Sequence, residues 1–200
     1  MNCSRTSVSL SDMARPPTFD RREVVDAAME VFWEHGYQGA SLSRLGEAMG
    51  LKPGSIYAAF GSKDALFQEA LDAYVEKVRQ AAYHPERGAR ALLEGWFEAH
   101  LEAATETGGR GCMLLTAAAE SPRIDPGGAR AVRAQLDALE RLFRHTVAKA
   151  RRDTPRPDAP GPAATARLLV AALAGISAMS RAGTERRALA DVARAALALV

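Results

Sequence analysis

The feature that most constrains this chain is a series of apolar residues at helical spacing between positions 20 and 67, cut by glycines at 36, 50 and 61. Over residues 20–36, Val24, Val25, Ala28, Val31 and Phe32 recur at the intervals of one α-helical face. Gly36 suits the C-terminal cap of that helix, with His35 in its last turn. Ser41 can cap a second, short helix carrying Leu42, Leu45 and Met49, and Gly50 stops it in a tight turn. Pro53 fits the first position of a third helix, where its missing N–H costs nothing, and Gly61 closes that helix after Phe60. Leu45, Ala48, Leu51, Ile56 and Phe60 are expected to form a small core, leaving Ser43, Arg44, Lys52, Ser55 and Tyr57 facing outward. Two helices joined by a short glycine-containing turn define a helix-turn-helix, whose second helix enters the major groove. Gly54 costs about 1 kcal/mol relative to alanine inside a helix, so its presence there points to a close partner.

Downstream, Ser62 and Asp64 mark another helix start, and Phe67, Leu71, Tyr74 and Val78 share one face at spacings of four, three and four. Pro85 punctuates that helix. Further helices are expected over 89–105, 112–120 and 128–152. Residues 153–162 hold four prolines and must be a loop. Two alanine-rich helices follow, over 163–181 and 185–200. No strand alternation is found, so the fold class is all-α. The Ser, Thr, Arg and Pro of residues 1–17 show no apolar period and predict a flexible arm, within which Met13 is an alternative start. The expected organisation is this arm, a helix-turn-helix domain over 18–64, and a larger helical domain over 65–200.

Composition narrows the function classes. A hydrophobic content of 48% over 200 residues suffices for a real core, and 25% charged residues is ordinary for a soluble chain. The longest strongly apolar run, residues 168–179, is too short for a bilayer, and no signal segment opens the chain, which predicts a cytoplasmic protein with no membrane partner. Cys3 and Cys112 lie too far apart for a disulfide framework or metal spacing. His35, His84, His100 and His145 show no metal-ligand spacing either. Gly-x-Ser-x-Gly is absent, and Gly108-Gly-Arg-Gly111 lacks the lysine and strand of a phosphate loop. No enzyme, metal or cofactor is therefore expected. Net charge does not reveal a partner: residues 1–80 carry 9 Lys+Arg against 11 Asp+Glu, a net of −2. Its distribution is more informative. Residues 23–40 hold Glu23, Asp26, Glu30 and Glu34 with no base, whereas 41–63 hold Arg44, Lys52 and Lys63 against Glu47 alone. A positive local face results if the first group turns away from DNA.

The ordered series Gly36-Tyr37, Ser41-Leu42 and Gly50-Leu-Lys-Pro-Gly-Ser-Ile-Tyr-Ala-Ala-Phe-Gly-Ser-Lys-Asp-Ala-Leu-Phe67 resembles the signature of the TetR family of regulators. It spans residues 20–75. The resemblance implies a TetR-like fold of nine or ten helices, the first three forming a DNA-binding head and the rest a ligand-sensing and dimerisation bundle. It implies that Ser41 touches phosphate before the second helix and that Lys52, Pro53, Gly54 and Ser55 begin the recognition helix. Tyr57 then matches a backbone-contacting tyrosine, and Lys63 a phosphate-contacting lysine. Ser43 and Arg44 join them as DNA-facing candidates, although Arg44 and Lys63 taken singly read as surface charges. Where many members carry Tyr-His after that tyrosine, this chain has Ala58-Ala59, so base readout is expected to lean on Lys52 and Ser55.

The run from Gly109 to Glu120 resembles a helix opening in a subset of such regulators, some of which sense electrophiles or oxidants through a nearby cysteine. Cys112, in a first helical turn beside Arg110, would have its thiolate favoured. The alternative, that Cys112 is a small buried hydrophobe, is preferred. Trp96, Phe97, His100, Met113, Leu139, Phe143 and Met179, with Cys112, are candidates to line an apolar effector cavity. The last two alanine-rich helices permit close approach and fit the family's homodimer interface. The whole then reads as a ligand-responsive repressor, released from a palindromic double-stranded operator by a small-molecule or electrophile signal.

Overall fold

A computed structural model describes residues 19–82, 88–105 and 109–200. The proposed arm, Cys3, Met13, His84, Pro85 and Gly108 lie outside the described residues. The elements are α1 (Arg21–Gly39), α2 (Leu42–Met49), α3 (Pro53–Phe60), α4 (Lys63–Ala82), α5 (Gly88–Thr105), α6 (Met113–Glu120), α7 (Pro126–Asp153), α8 (Pro162–Arg181) and α9 (Arg186–Leu197). A 3₁₀ turn, Ser121–Arg123, follows α6. No strand occurs among the described residues, and the all-α expectation holds.

Helix starts follow their local chemistry. Asp20 accepts from the Arg22 N–H at 2.8 Å, Ser41 from the Arg44 N–H at 3.2 Å, and Ser62 from the Ala65 N–H at 3.0 Å. Pro53, Pro126 and Pro162 occupy first-turn positions of α3, α7 and α8. Several boundaries differ from the sequence expectation. Gly36 does interrupt α1 (φ 69°, ψ 175°), but helical turns resume and carry the element to Gly39. Cys112 precedes α6 as its cap residue rather than lying in its first turn. Helix α7 begins two residues earlier than expected, at Pro126, a residue type suited to the first helical position. Helix α9 stops at Leu197, three residues short.

One continuous apolar core runs from Val24 to Val200. Helix α4 threads it, packing on α1 at one end and on α5 and α7 along its length. The 64/65 boundary expected between domains falls inside this helix. Phe32 and Phe67 are nearly fully buried and meet edge to face at 5.1 Å. Each ring contributes about 2–3 kcal/mol by burial. Trp33 packs on Tyr74 at 5.1 Å and donates from Nε1 to the Gly111 carbonyl at 2.7 Å, joining α1 to the segment before α6. Helix α8 crosses α7 and α5, and α9 closes over α8 and α5. By length and composition α8 would suffice to cross a membrane, longer than the 168–179 run suggested. Its Leu169, Leu173 and Ile176, however, are buried in the protein core.

Candidate nucleic-acid interface and effector cavity

The head is built around a tight turn. Leu45, Met49, Ile56 and Phe60 are buried, and Leu51 is half-buried. Ala48, expected in this core, is exposed; Gly46 and Met49 take the inward positions on α2. The reason is close packing: a Cβ on Gly46 would stand 2.6 Å from the Leu51 carbonyl oxygen, which leaves no room for a side chain. Gly50, at φ 64°, completes the turn. Arg21 binds the back of the head to α4, contacting both carboxylate oxygens of Glu69 and the Ala59 carbonyl while lying over the Phe60 ring at 4.5 Å.

The opposite side of the head presents the residues picked out in the sequence. Ser41, Ser43, Arg44, Lys52, Pro53, Gly54, Ser55 and Tyr57 are all exposed. Tyr57 is 49% exposed, which is uncommon for a large aromatic residue. Arg44 is partly committed, donating to the Gly39 carbonyl at 2.9 Å. Lys52 caps α3 without a side-chain hydrogen bond, so the amino end of α3 keeps its positive dipole end uncovered. Among the described residues, nothing beyond its own neighbours and helix backbone lies within 4 Å of where a Cβ on Gly54 would stand. No packing contact among the described residues requires a glycine there. Acidic residues of α1 point elsewhere: Asp26 pairs with Lys77 at 3.2 Å and Glu30 with Arg110 at 2.8 Å.

Lys63 does not join this surface. Its Nζ donates to the Tyr37 carbonyl at 2.6 Å and lies 4.4 Å above the Tyr37 ring. Partial burial lowers its pKa, opposed by the charges of Asp125, Asp64 and Glu120. The same seam holds Tyr37 itself. Its hydroxyl sits between Asp64 at 2.6 Å and Asp125 at 3.0 Å, and its N–H donates to Glu120 at 3.0 Å. Burial first, then the carboxylates of Asp64 and Asp125, push the phenol pKa well up. Tyr37 stands out in the sequence only as part of a motif, because its partners come from α4, the end of α6 and the start of α7.

In the body, a cleft of about 250 Å³ opens beside Val75 and Arg79 of α4, Trp96 of α5, Leu114 of α6, and Gln135, Ala138, Leu139 and Leu142 of α7. An enclosed space of about 20 Å³ adjoins it, bounded by Tyr74, Trp96, His100, Cys112 and Leu173 among others. Of the expected lining residues, Trp96, His100, Cys112 and Leu139 meet at these spaces, while Phe97, Met113, Phe143 and Met179 line neither. Phe97, Met113 and Phe143 are buried core, and Met179 packs half-buried against it. The missed α7 residues, Gln135, Ala138 and Leu142, follow the helical intervals three and four, a signal present in the sequence but shared with ordinary core faces.

His100 is neutral here, its pKa lowered to about 4 by burial. Its Nε2 lies 2.8 Å from Ser177 Oγ, which also accepts the Cys112 N–H at 3.1 Å. A backbone hydrogen bond with Leu173 opposes that lowering. Cys112 is buried, and burial raises its thiol pKa despite a hydrogen bond from Tyr74. Arg110 does not activate it: the guanidinium stacks on Trp33 at 4.2 Å and pairs with Glu30. The thiolate-favouring environment expected from the sequence is thus corrected, because Trp33 and Glu30 draw the arginine away. No cluster of metal-ligating side chains occurs among the described residues.

The family described as "Bacterial regulatory proteins, tetR family" matches residues 24–70, the head and the first part of α4. The repressor ComR of Escherichia coli is 41% identical over 91 residues, 42% of this chain and 42% of ComR, so the match spans less than half of that relative. The uncharacterised HTH-type regulator YezE of Bacillus subtilis is 30% identical over 143 residues, covering 70% of this chain and 74% of YezE. A cysteine-substituted form of the TetR family regulator CifR, solved with a 26bp double-strand operator DNA, is 31% identical. It covers 92% of this chain and 98% of that one, with a TM-score of 0.74. With likeness extending over both head and body, this chain belongs to the TetR family of bacterial transcriptional regulators, which are not enzymes.

Proposed function

We propose that the protein is a cytoplasmic, homodimeric repressor that binds a palindromic double-stranded operator through residues 18–64 and releases it when residues 65–200 bind a small molecule. The observation that carries DNA binding is the exposed face of α3, where Lys52, Ser55 and Tyr57 surround a glycine that no internal contact requires. A helix with an uncovered amino end and no side chain at its second position can approach a phosphate and the groove floor closely. Lys52 and Ser55 supply base readout, and Ser41, Ser43, Arg44 and Tyr57 supply register on the backbone. Lys63 can reach phosphate only by leaving the Tyr37 carbonyl. Exposed Leu168 and the alanine-rich outer face of α8 support pairing of subunits through α8 and α9, which sets two heads on one face of a duplex.

The test is operator selection from random DNA followed by gel shift. Lys52→Ala is expected to blur preference at particular operator positions. Tyr57→Phe is expected to weaken binding evenly across sequences. Removal of a phosphate-contacting cation lowers the salt slope by about one unit. A wild-type protein that selects no sequence would reject the reading. For the dimer, sedimentation of a chain ending at residue 162 is expected to show monomer or aggregate.

The effector signal is assigned to the cleft beside Trp96 rather than to Cys112, because the thiol is buried and its pKa raised. Thiol titration separates the two: reaction of Cys112 in the native protein would favour the electrophile signal, and reaction only after denaturation the small-molecule one.

A further inference from the structure

The outer face of α7 carries a stripe of cations. Residues 130–152 hold 7 Lys+Arg against 2 Asp+Glu, a net of +5. Arg130, Arg141, Arg144 and Arg152 are exposed and, at 3.6 residues per turn, fall within an arc of about 80°. Val132, Leu139, Phe143 and Val147, on the other side of the helix, are buried in the core. Both acids of the segment are taken: Asp137 pairs with Arg133 at 3.2 Å, and Glu140 with Arg167 of α8 at 3.0 Å. Among the described residues, no ion pair or side-chain hydrogen bond engages the four stripe arginines. The fold gains little from them. Like charges three residues apart repel, as Arg141 and Arg144 do, and the helix dipole favours cations only in the last turn. That accounts for Arg152 but not for Arg130, Arg141 or Arg144.

The stripe leads away from the head. At its start α7 meets the head through Asp125, which accepts from the Tyr37 hydroxyl at 3.0 Å. Near its end Arg151 donates to the Pro160 and Leu199 carbonyls at 2.6 and 2.8 Å, deep in the body. Arg130 to Arg152 spans about 33 Å along the helix axis, close to one turn of a DNA duplex. What the stripe lacks decides its partner. Tyr57 and Leu168 are the large hydrophobic residues exposed among the described residues, and neither lies on α7. A protein partner needs an apolar or aromatic centre to the contact, and a membrane surface needs apolar side chains to insert. A nucleic-acid backbone needs only cations, and a guanidinium can meet two phosphate oxygens at once.

We propose that the α7 stripe is a second, sequence-independent contact for double-stranded DNA, through which the protein holds a duplex other than the one its helix-turn-helix grips. Each arginine on a phosphate releases counterions, so the contact is firm at low salt and fades steeply as salt rises. It is separate from the proposed operator site, and its first test needs no operator.

That test is the affinity for a fluorescent duplex of arbitrary sequence, about three turns long, followed by anisotropy over a series of salt concentrations. Changing the four arginines together (Arg130→Gln, Arg141→Gln, Arg144→Gln, Arg152→Gln) is expected to lower the slope of log affinity against log salt by about 3.6 units, at 0.9 per phosphate contact. Lysine at the same four positions is expected to keep the slope within about one unit of wild type, a rescue that a packing role for the arginines would not give. The pair Arg141→Gln and Arg144→Gln alone is expected to remove about 1.8 units, which serves if the four-fold variant fails to fold. An unchanged slope in a folded Gln variant overturns the proposal. Poly-glutamate and phosphatidylserine vesicles are the competing anions. Either one binding as tightly as the duplex, and losing the Gln variant, overturns the assignment to DNA. In a second arm, protein held by its head on an immobilised selected operator is expected to retain the fluorescent duplex. Equal retention by the Gln variant overturns the claim of a separate contact. Failure to select any operator, with the slope difference intact, overturns the reading of the head alone.

Discussion

Tyr57 in the head and Trp96 in the body are both large aromatic residues, yet one is 49% exposed and the other 7% exposed with an unmet donor. In the head, a small core holds polar side chains on a convex surface, and the chemistry lies outside. In the body, four helices enclose a concave space, and the chemistry lies in what the packing leaves unfilled. The first arrangement depends on residues close in sequence. The second depends on α4, α5, α6 and α7 meeting. Between them lies the seam of Tyr37, Lys63, Asp64, Glu120 and Asp125, whose polar contacts make any shift of α6 or α7 felt by α1. The head is therefore not mechanically separate from the body.

The largest effect is expected from disturbing that seam. Gly36 has φ 69° and ψ 175°, a region essentially restricted to glycine, and a Cβ there would collide with the Glu120 carboxylate. Gly36→Ala is expected to cost about 3 kcal/mol, from backbone strain plus loss of the Glu120 contact to the Tyr37 N–H. Chemical denaturation measures it. A loss below about 1 kcal/mol would show that head and body are joined more loosely than their contacts imply.

The body has its own handle in His100, whose folded pKa of about 4 lies below the ordinary 6.5. Between those values the unfolded chain binds one more proton than the folded one, so stability falls as pH drops from 6.5 towards 4 and is unaffected by this group above that window. The expected loss is about 2 kcal/mol on going from pH 7 to pH 5. His100→Asn is expected to flatten that part of the stability profile. An unchanged slope in the variant would place the titration elsewhere.

A smaller change tests the seam without strain. Tyr37→Phe keeps the ring contacts with Phe32 and Phe67 but removes the hydroxyl between Asp64 and Asp125. Two carboxylates then face each other without a donor, and a loss of about 1–2 kcal/mol is expected. Equal stability of the variant would mean that Lys63 alone offsets both charges.

These contrasts explain what could be read from the sequence. The head was legible because its turn glycines, its cap serine and its apolar intervals lie within some forty consecutive residues, where local chemistry decides the structure. Even so, Ala48 was placed inward when Gly46 occupies that contact, since spacing cannot tell which of two small residues the Leu51 carbonyl will exclude. Lys63 read as an outward cation because its partner, the Tyr37 carbonyl, is a backbone atom that no motif encodes. In the body, helix positions were legible from proline and alanine, but Phe97 and Phe143 could not be told from true lining residues. A cavity is a property of how helices cross, and aromatic content fills cores and lines clefts equally well.

The smallest expected change in stability separates the two uses of a head residue most cleanly. Gly54 occupies the second position of α3, without a positive φ and with open space where a Cβ would stand. Alanine is a better helix former and restricts the unfolded chain, so Gly54→Ala is expected to stabilise the protein by about 0.5 kcal/mol. The added methyl, however, would stand on the side of α3 that carries Lys52, Ser55 and Tyr57. If this face meets DNA closely, operator affinity is expected to fall by about ten-fold, the cost of about 1.4 kcal/mol from displaced contacts. Thermal unfolding and gel shift on one preparation give both numbers. Opposite signs would show a glycine retained for its partner rather than for its fold. A variant that is more stable and binds equally well would remove the close approach at Gly54 and leave the neighbouring side chains to reach DNA on their own.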